Sequence, residues 1–192
     1  SVGKTGTKEA LRLAFTDKFA VSATRGNLNN HWGLPLTLAR MPANTDFGIF
    51  EIGMSHPGEI TPLSIMARPD IAVITEIVDV HAEFFSSTEA IADAKAEIFI
   101  GMDDSGIAIL NHDNLFFNRL VDHAKAQGIC QIISFGADDR ADARLIECQL
   151  FGDASKVRAN VCGQELIYWV GVPGRHMVVN TLAVLATIQA VE

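Results

Sequence analysis

Two patterns of apolar and polar residues divide the chain at Gly136. Before Gly136, short apolar runs alternate with stretches whose apolar residues recur at helical spacing. The short runs predict buried strands at 47–52, 71–75, 107–110 and 130–135. The helical spacing predicts helices near 5–15, 59–67, 88–101 and 114–127. Continuously apolar strands separated by helices indicate a parallel sheet covered on both faces.

After Gly136, apolar and polar residues alternate one by one, which is typical of half-exposed antiparallel strands. The apolar positions are Ile146, Cys148 and Leu150 in a first run, and Val157, Ala159 and Val161 in a second. Gly163 and Gln164 form a predicted turn before a third run at 166–170. A last helix is predicted over 175–191. The sequence therefore predicts an α/β domain with a mostly parallel sheet and a small antiparallel meander.

Composition limits the classes of partner. The length of 192 residues suits one domain, and 48% apolar with 20% charged residues is the balance of a globular core. The net charge of -8 argues against a nucleic-acid surface, which needs a basic patch. No apolar run approaches the ~20 residues that span a bilayer, so we expect no membrane insertion. Three cysteines without CxxC spacing favour free thiols in a reducing, cytoplasmic setting.

The chain opens with a possible phosphate-binding loop. Gly3-Lys4-Thr5 directly precedes the first predicted helix. In a G-x-x-x-x-G-K-[ST] loop, backbone N–H groups cradle phosphates, the lysine reaches the outer phosphates, and the hydroxyl binds magnesium. The leading glycine would fall before Ser1, so only half of the motif is visible. An ordinary helix start explains the tripeptide alone equally well.

Glu51 lies inside the predicted strand at 47–52, near its carboxyl end, and His81 follows a neighbouring predicted strand. A carboxylate in an otherwise apolar strand is costly unless it is paired or solvated at the strand end. That carboxyl end is also where ligands bind open α/β sheets, and a carboxylate there can hold magnesium. His81 lies just beyond the strand at 71–75, where a loop histidine is either a metal ligand or simply solvated.

Lys95 shares an apolar stripe with Ile91 and Ile98 on a predicted helix, which Ser86 and Glu89 open with capping-box spacing. A lysine in this position either covers apolar surface with its stem or carries an amine whose pKa is lowered by burial.

These residues, taken in order, resemble the Mur ligase family. Five blocks carry the resemblance: 1–9, 24–38, 51–60, 81–84 with 94–98, and 173–176 with Asn180. The resemblance covers the chain as the central, ATP-binding domain with a sheet of the phosphate-loop type. The third block is closest to the branch of the family that joins D-alanyl-D-alanine to a UDP-N-acetylmuramoyl-tripeptide through an acyl phosphate. The resemblance also implies an N-terminal uridine-nucleotide domain and a C-terminal domain outside these residues, so we expect the 192 residues alone to be inactive.

The resemblance implies specific roles. Ser1, Val2 and Gly3 belong to the phosphate loop, Lys4 contacts the β- and γ-phosphates of ATP, and Thr5 binds Mg²⁺. Glu51 binds or orients that metal, His81 holds a second ion, and Lys95 is carbamylated to become a further ligand. Asn29 or Asn30 approaches the phosphates, and Asn180 reaches the base.

Two departures from the family pattern concern the site. Met177 stands where the family usually has asparagine, which puts the adenine contacts there in doubt. The segment after His81 lacks a glycine that is common in the family. Alternative functions are another ligase of the superfamily, such as the enzyme that adds the third amino acid or folylpolyglutamate synthase, and a plain phosphate-loop nucleotide hydrolase or kinase. A non-enzymatic alternative is an interaction domain that binds ATP without turnover.

Overall fold

A computed structural model describes residues 3–78 and 85–191, and it confirms an α/β fold. The helices are α1 (Lys4–Thr16), α2 (Gly33–Ala39), α3 (Ile60–Ala67), α4 (Thr88–Ala96), α5 (Phe117–Ala126) and α6 (Arg175–Val191), with a 3-10 helix at Glu97–Gly101. The strands are β1 (Val21–Ala23), β2 (Phe47–Ile49), β3 (Ile71–Ile74), β4 (Ile107–Asn111), β5 (Gln131–Gly136), β6 (Ala143–Leu150), β7 (Ser155–Val161) and β8 (Gln164–Val170).

Most strands form one six-stranded sheet in the order β3-β4-β5-β6-β7-β8. Strands β3 to β6 are parallel, and β6, β7 and β8 form the predicted antiparallel meander. Strands β1 and β2 form a separate parallel pair. The change from parallel to antiparallel pairing falls where the sequence changes from continuous to alternating hydrophobicity.

Strand β4, between β3 and β5, is buried on both faces, as its apolar sequence predicts. Ala108 and Leu110 belong to a core cluster with residues of α4 and α5, whereas Ile109 belongs to a second cluster with residues of α6. Successive side chains of a strand point to opposite faces, so helices cover both sides of the sheet.

A third cluster places α1. Leu11 and Phe15 of α1 pack with Val184 of α6 and contact Phe47 and Ile49 of β2. The rings of Phe15 and Phe47 stack with centroids 4.6 Å apart. These contacts fix the N-terminus of α1 relative to the segment that follows β2.

The structure corrects several predicted boundaries. Strand β2 ends at Ile49 rather than 52, because the Glu51 N–H bonds the Thr24 hydroxyl at 3.1 Å instead of a strand. The predicted helix at 88–101 divides into α4 and the 3-10 helix. Its N-cap is Ser87, whose side chain accepts from the Ala90 N–H, and not Ser86. Helix α5 begins at Phe117 because the Asn114 side chain accepts the Phe116 N–H in a turn.

The pattern between 17 and 46 gave no prediction, yet the structure has β1 and α2 there. All three cysteines are free, as expected. Among the described residues, no helix combines the length and apolar character needed to span a membrane.

Candidate functional site

Gly3-Lys4-Thr5, the predicted phosphate-loop tripeptide, lies at the start of α1, as the sequence predicted. Gly3 is the N-cap with φ of 97°, a left-handed conformation that favours glycine, and the helix begins at Lys4. The first turn contains no acidic residue, so no carboxylate of the helix offsets the positive end of its dipole. Ser1 and Val2 lie outside the described residues.

Helix α6 contacts this segment through Asn180. The Asn180 amide lies so close to Gly3 that any side chain at position 3 would displace it. One turn earlier, Met177 Cε would lie 3.8 Å from a Cβ atom on Gly6. The predicted base-contacting residue and the departure from the family pattern both face the first turn of α1.

The Glu51 carboxylate is held by two donors from distant parts of the chain. The Thr5 hydroxyl donates to Oε2 at 2.8 Å, and Asn29 Nδ2 donates to Oε1 at 2.8 Å. Glu51 is only 6% exposed. Because both oxygens are hydrogen-bonded, the orientation of this buried carboxylate is fixed.

The two candidate asparagines have different environments. Asn29 bonds Glu51 with its side chain and accepts the Gly53 N–H with its carbonyl at 2.7 Å. The Asn30 side chain instead accepts the backbone N–H groups of Trp32 and Gly33, at 3.1 Å and 3.0 Å, where α2 begins. Asn29 therefore belongs to the Glu51 cluster, and the Asn30 oxygen serves as a helix cap.

Lys95 lies close enough to Lys4 for the charge of Lys4 to affect it. Burial, and secondly the charge of Lys4, lower the pKa of the Lys95 ammonium to about 8. The electrostatic effect of Lys4 places the two amines in one neighbourhood. A lysine with this pKa has a substantial neutral fraction near pH 8, which is the reactive form of an amine.

His81 lies outside the described residues, so its predicted metal role stays a prediction. Within residues 3–78 and 85–191, no three His, Cys, Asp or Glu side chains come together as a metal site. The chemistry nevertheless fits magnesium, because the Thr5 hydroxyl and the Glu51 carboxylate meet. Magnesium takes one or two carboxylates with substrate phosphates and waters, and does not need an all-protein cage.

The sequence did not predict that two further residues at this site are buried. Thr24 is 1% exposed, and its hydroxyl accepts the Glu51 N–H. Lys8 is 3% exposed, and its ammonium donates to the Thr24 carbonyl at 2.7 Å. Lys8 shares a helix face with Leu11 and Phe15, which was the one signal of burial available in the sequence.

The segment after β1 also lines a groove of about 720 Å³. Its other walls come from α1, β1 and α2, and its lining includes Arg12, Arg25 and Arg40. Lys4, Glu51 and Lys95 do not line this groove, so it is separate from the cluster described above.

Comparison with known proteins identifies the family. The family model described as Mur ligase middle domain matches residues 1–188. The chain belongs to the Mur ligase family. The match covers nearly the whole chain.

Two similar curated proteins carry the same name. The chain is 40% identical over 188 residues to the UDP-N-acetylmuramoyl-tripeptide–D-alanyl-D-alanine ligase of Rickettsia prowazekii, covering 98% of the chain and 42% of that protein. The protein of the same name from Bacillus subtilis is 36% identical, with 97% of the chain and 39% of that protein covered. The chain thus spans about two fifths of the length of these relatives.

Two solved structures of MurF resemble this chain over its full length. MurF from Acinetobacter baumannii superposes with a TM-score of 0.94 at 30% identity, covering 100% of this chain and 41% of that one. MurF ligase from Thermotoga maritima, solved in complex with ADP, superposes with a TM-score of 0.87 at 26% identity, covering 100% and 44%.

Proposed function

We propose that this chain is the ATP-binding core of a ligase that joins D-alanyl-D-alanine to a UDP-N-acetylmuramoyl-tripeptide, for peptidoglycan precursor synthesis in the cytoplasm. The observation that carries the proposal is the Glu51 carboxylate, held between Thr5 and Asn29 at the start of the phosphate-loop helix. The relatives that match the whole chain carry the name of this ligase. Because those relatives are more than twice as long, the substrates are proposed for the full-length protein.

In this proposal, the start of α1 binds the phosphates of ATP. Lys4 contacts the β- and γ-phosphates, and the N-terminal N–H groups with Ser1, Val2 and Gly3 cradle them. Asn180, which contacts Gly3, would reach the nucleotide base. On a protein of net charge -8, this local positive potential is what makes an anionic nucleotide acceptable.

Thr5 and Glu51 would hold magnesium, and His81 would hold a second ion. Bound magnesium would neutralise charge on the phosphates and the reacting carboxylate. The Asn29 hydrogen bond keeps one oxygen of Glu51 oriented, while the other faces the Thr5 hydroxyl. Such orientation of ligands by neighbouring groups is typical of metal sites.

We propose that Lys95 is carbamylated. The neutral amine attacks carbon dioxide, a nitrogen–carbon bond forms, and one proton leaves to solvent. The product is an anionic, carboxylate-like group in place of a cation. The lowered pKa of Lys95 supports this reaction, because the nucleophile must be neutral.

The reaction itself proceeds in two steps. A carboxylate oxygen of the tripeptide attacks the γ-phosphorus of ATP, the bond to the β-phosphate oxygen breaks, and ADP leaves. The amine of D-alanyl-D-alanine then attacks the acyl carbonyl, phosphate leaves, and the new amide loses a proton. The residues of this chain contribute mainly by positioning the phosphates and neutralising their charge.

The test is an acceptor screen with the full-length protein. We expect phosphate release from ATP that requires both the tripeptide precursor and D-alanyl-D-alanine, with amide formed in equal amount. Phosphate release without any amine would identify a nucleotide hydrolase instead. A preference for a single amino acid, such as glutamate, as the amine substrate would identify another ligase of the superfamily.

A further inference from the structure

Lys8 is a buried cation that the proposed reaction does not use. Its side chain points into the protein from the second turn of α1 and is 3% exposed. Lysine is almost never buried to this degree unless it is paired, because removing an ammonium from water is costly. Its partners therefore indicate what the burial achieves.

The ammonium bonds the segment that follows β1. Lys8 Nζ donates to the Thr24 carbonyl at 2.7 Å and approaches the Gly26 carbonyl at 3.4 Å. Its third partner is the Glu9 carboxylate at 3.0 Å, which is 42% exposed. Two backbone carbonyls of one segment thus converge on a single charge, which ties segment 24–26 to α1.

That segment leads directly to Glu51. The Thr24 hydroxyl accepts the Glu51 N–H at 3.1 Å, and five residues later Asn29 donates to the Glu51 carboxylate at 2.8 Å. The Thr24 N–H in turn donates to the Ile49 carbonyl at the end of β2. Lys8 therefore contacts the segment whose hydrogen bonds orient both the backbone and the side chain of Glu51.

We infer that Lys8 is a positioning residue for the magnesium site, acting through Thr24 and Asn29 on Glu51. The inference rests on the proposed function, since it assigns Glu51 to magnesium. Without the ammonium, the carbonyls of Thr24 and Gly26 lose their buried donor, and segment 24–30 is free to move away from α1. Glu51 then loses the geometry that magnesium requires, although Lys8 touches neither metal nor substrate.

The experiment compares Lys8→Met with Val157→Ala in the full-length protein. Met keeps much of the length of the side chain but removes the donor. Val157 is fully buried in the β7 core, outside the site, so its truncation controls for lost stability. Two readouts are taken: hydrogen exchange of backbone amides in segment 24–30 without metal, and the magnesium concentration that half-saturates ADP binding.

We expect Lys8→Met to speed exchange in segment 24–30 and to raise the half-saturating magnesium concentration by about tenfold to hundredfold, the usual effect of losing an outer-shell partner. Val157→Ala should change neither. Combining Lys8→Met with Thr24→Val should raise the magnesium requirement little beyond the worse single variant, because both act through one connection. Unchanged magnesium dependence in Lys8→Met, or fully additive effects, would overturn the inference.

Lys8→Gln keeps an N–H donor but removes the charge. If Lys8→Met does not fold, the same measurements are made on Lys8→Gln. We expect an intermediate shift of the magnesium dependence, and wild-type behaviour would overturn the inference. Wild-type ligation is measured in parallel. If the wild type binds Mg²⁺ and ADP but does not ligate D-alanyl-D-alanine, the proposed function fails, and the role of Lys8 is still decided by exchange and magnesium dependence.

Discussion

The Thr5 hydroxyl donates to Glu51 Oε2 at 2.8 Å, across 46 positions of sequence. The contact joins the first turn of α1 to the segment after β2, which are held together by the packing of Phe15 on Phe47. Thr5 belongs to the predicted phosphate loop, and Glu51 is a buried carboxylate. Their contact places two oxygen groups together beside the N-terminus of α1, and magnesium bound to a nucleotide prefers such oxygen ligands.

Replacing Glu51 with Gln should abolish magnesium-dependent turnover while leaving the fold intact. The amide keeps nearly the same shape and an oxygen for Asn29, but it removes the negative charge that would bind the metal. We expect activity to fall by at least about 100-fold, with thermal unfolding shifted by only a few degrees, as measured by phosphate release and calorimetry.

Glu97→Gln is the matched control. Glu97 is a carboxylate that accepts the N–H groups of Gly58, Ile60 and Thr61 at the start of α3. Its loss should cost about 1 kcal/mol of stability, as for other helix caps, without changing the magnesium dependence. Equal effects of both variants on magnesium binding would contradict the assignment of Glu51.

Replacing Gly3 with Ala should eliminate nucleotide binding. The substitution combines a left-handed backbone with a contact of 2.3 Å to Asn180. Gly58→Ala supplies the control, because Gly58 also has positive φ, of 85°, but open space around a Cβ atom. We expect Gly58→Ala to cost about 1–2 kcal/mol from strain alone, and ADP titration calorimetry should show binding retained. Similar ADP affinity in both variants would argue against a phosphate loop at Gly3.

The two asparagines that the sequence left undecided should separate in function. Asn29→Ala removes a donor from Glu51 and should lower turnover by about tenfold or more. Asn30→Ala removes the cap at the start of α2 and should cost about 1 kcal/mol of stability with turnover largely retained. Kinetics and thermal unfolding of both variants test this difference, and the reverse pattern would show that Asn30, not Asn29, supports Glu51.

Lys95 should make stability depend on pH in the alkaline range. Burial, and secondly Lys4, lower the pKa of Lys95 to about 8 in the folded protein, whereas the unfolded chain keeps the ordinary value near 10.5. Between these values the unfolded state binds more protons, so the contribution of this group to stability rises with pH from about 8 to 10.5. At lower pH, both states are protonated and the burial of the cation is a constant cost.

Lys95→Met should therefore stabilise the protein at pH 7, by about 1–3 kcal/mol, and the advantage should shrink by pH 10. Denaturant unfolding at several pH values in carbon dioxide-free buffer measures the difference in stability. Lys125→Met is the control, because Lys125 lies on the exposed face of α5. An advantage that does not change with pH would contradict the lowered pKa. Full activity of Lys95→Ala would contradict the carbamate, and partial recovery with a short-chain carboxylic acid would support it.

The sequence predicted the parts of the fold that depend on local pattern. Strand β4 with its continuous apolar residues, the alternating meander and helix α6 all lie where hydrophobic periodicity placed them. Strand β1 was missed because three residues, Val21–Ala23, are too few to establish a pattern. Helix α2 was missed because its start depends on the Asn30 side chain capping a turn in a segment rich in glycine and asparagine.

The residues of the candidate site also fall into those that local sequence predicted and those that it did not. Gly3, Lys4 and Thr5 form a contiguous motif, and Glu51 and Lys95 are charged residues in otherwise apolar patterns, so each stood out locally. Lys8 and Thr24 did not stand out, because their roles arise from contacts that only the folded chain creates. The choice between Asn29 and Asn30 likewise depends on which side chain faces Glu51, and adjacent residues share the same sequence signal.

The most direct test of a common phosphate and magnesium site at Lys4, Thr5, Glu51 and Lys95 is a crystal structure of the full-length protein with Mg²⁺ and a non-hydrolysable ATP analogue. We predict phosphates at the N-terminus of α1 within hydrogen-bonding distance of Lys4. We also predict magnesium at about 2.1 Å from the Thr5 hydroxyl, with Glu51 bound directly or through one water. A nucleotide bound elsewhere, for example in the groove beside β1, or a metal remote from Glu51, would contradict this account.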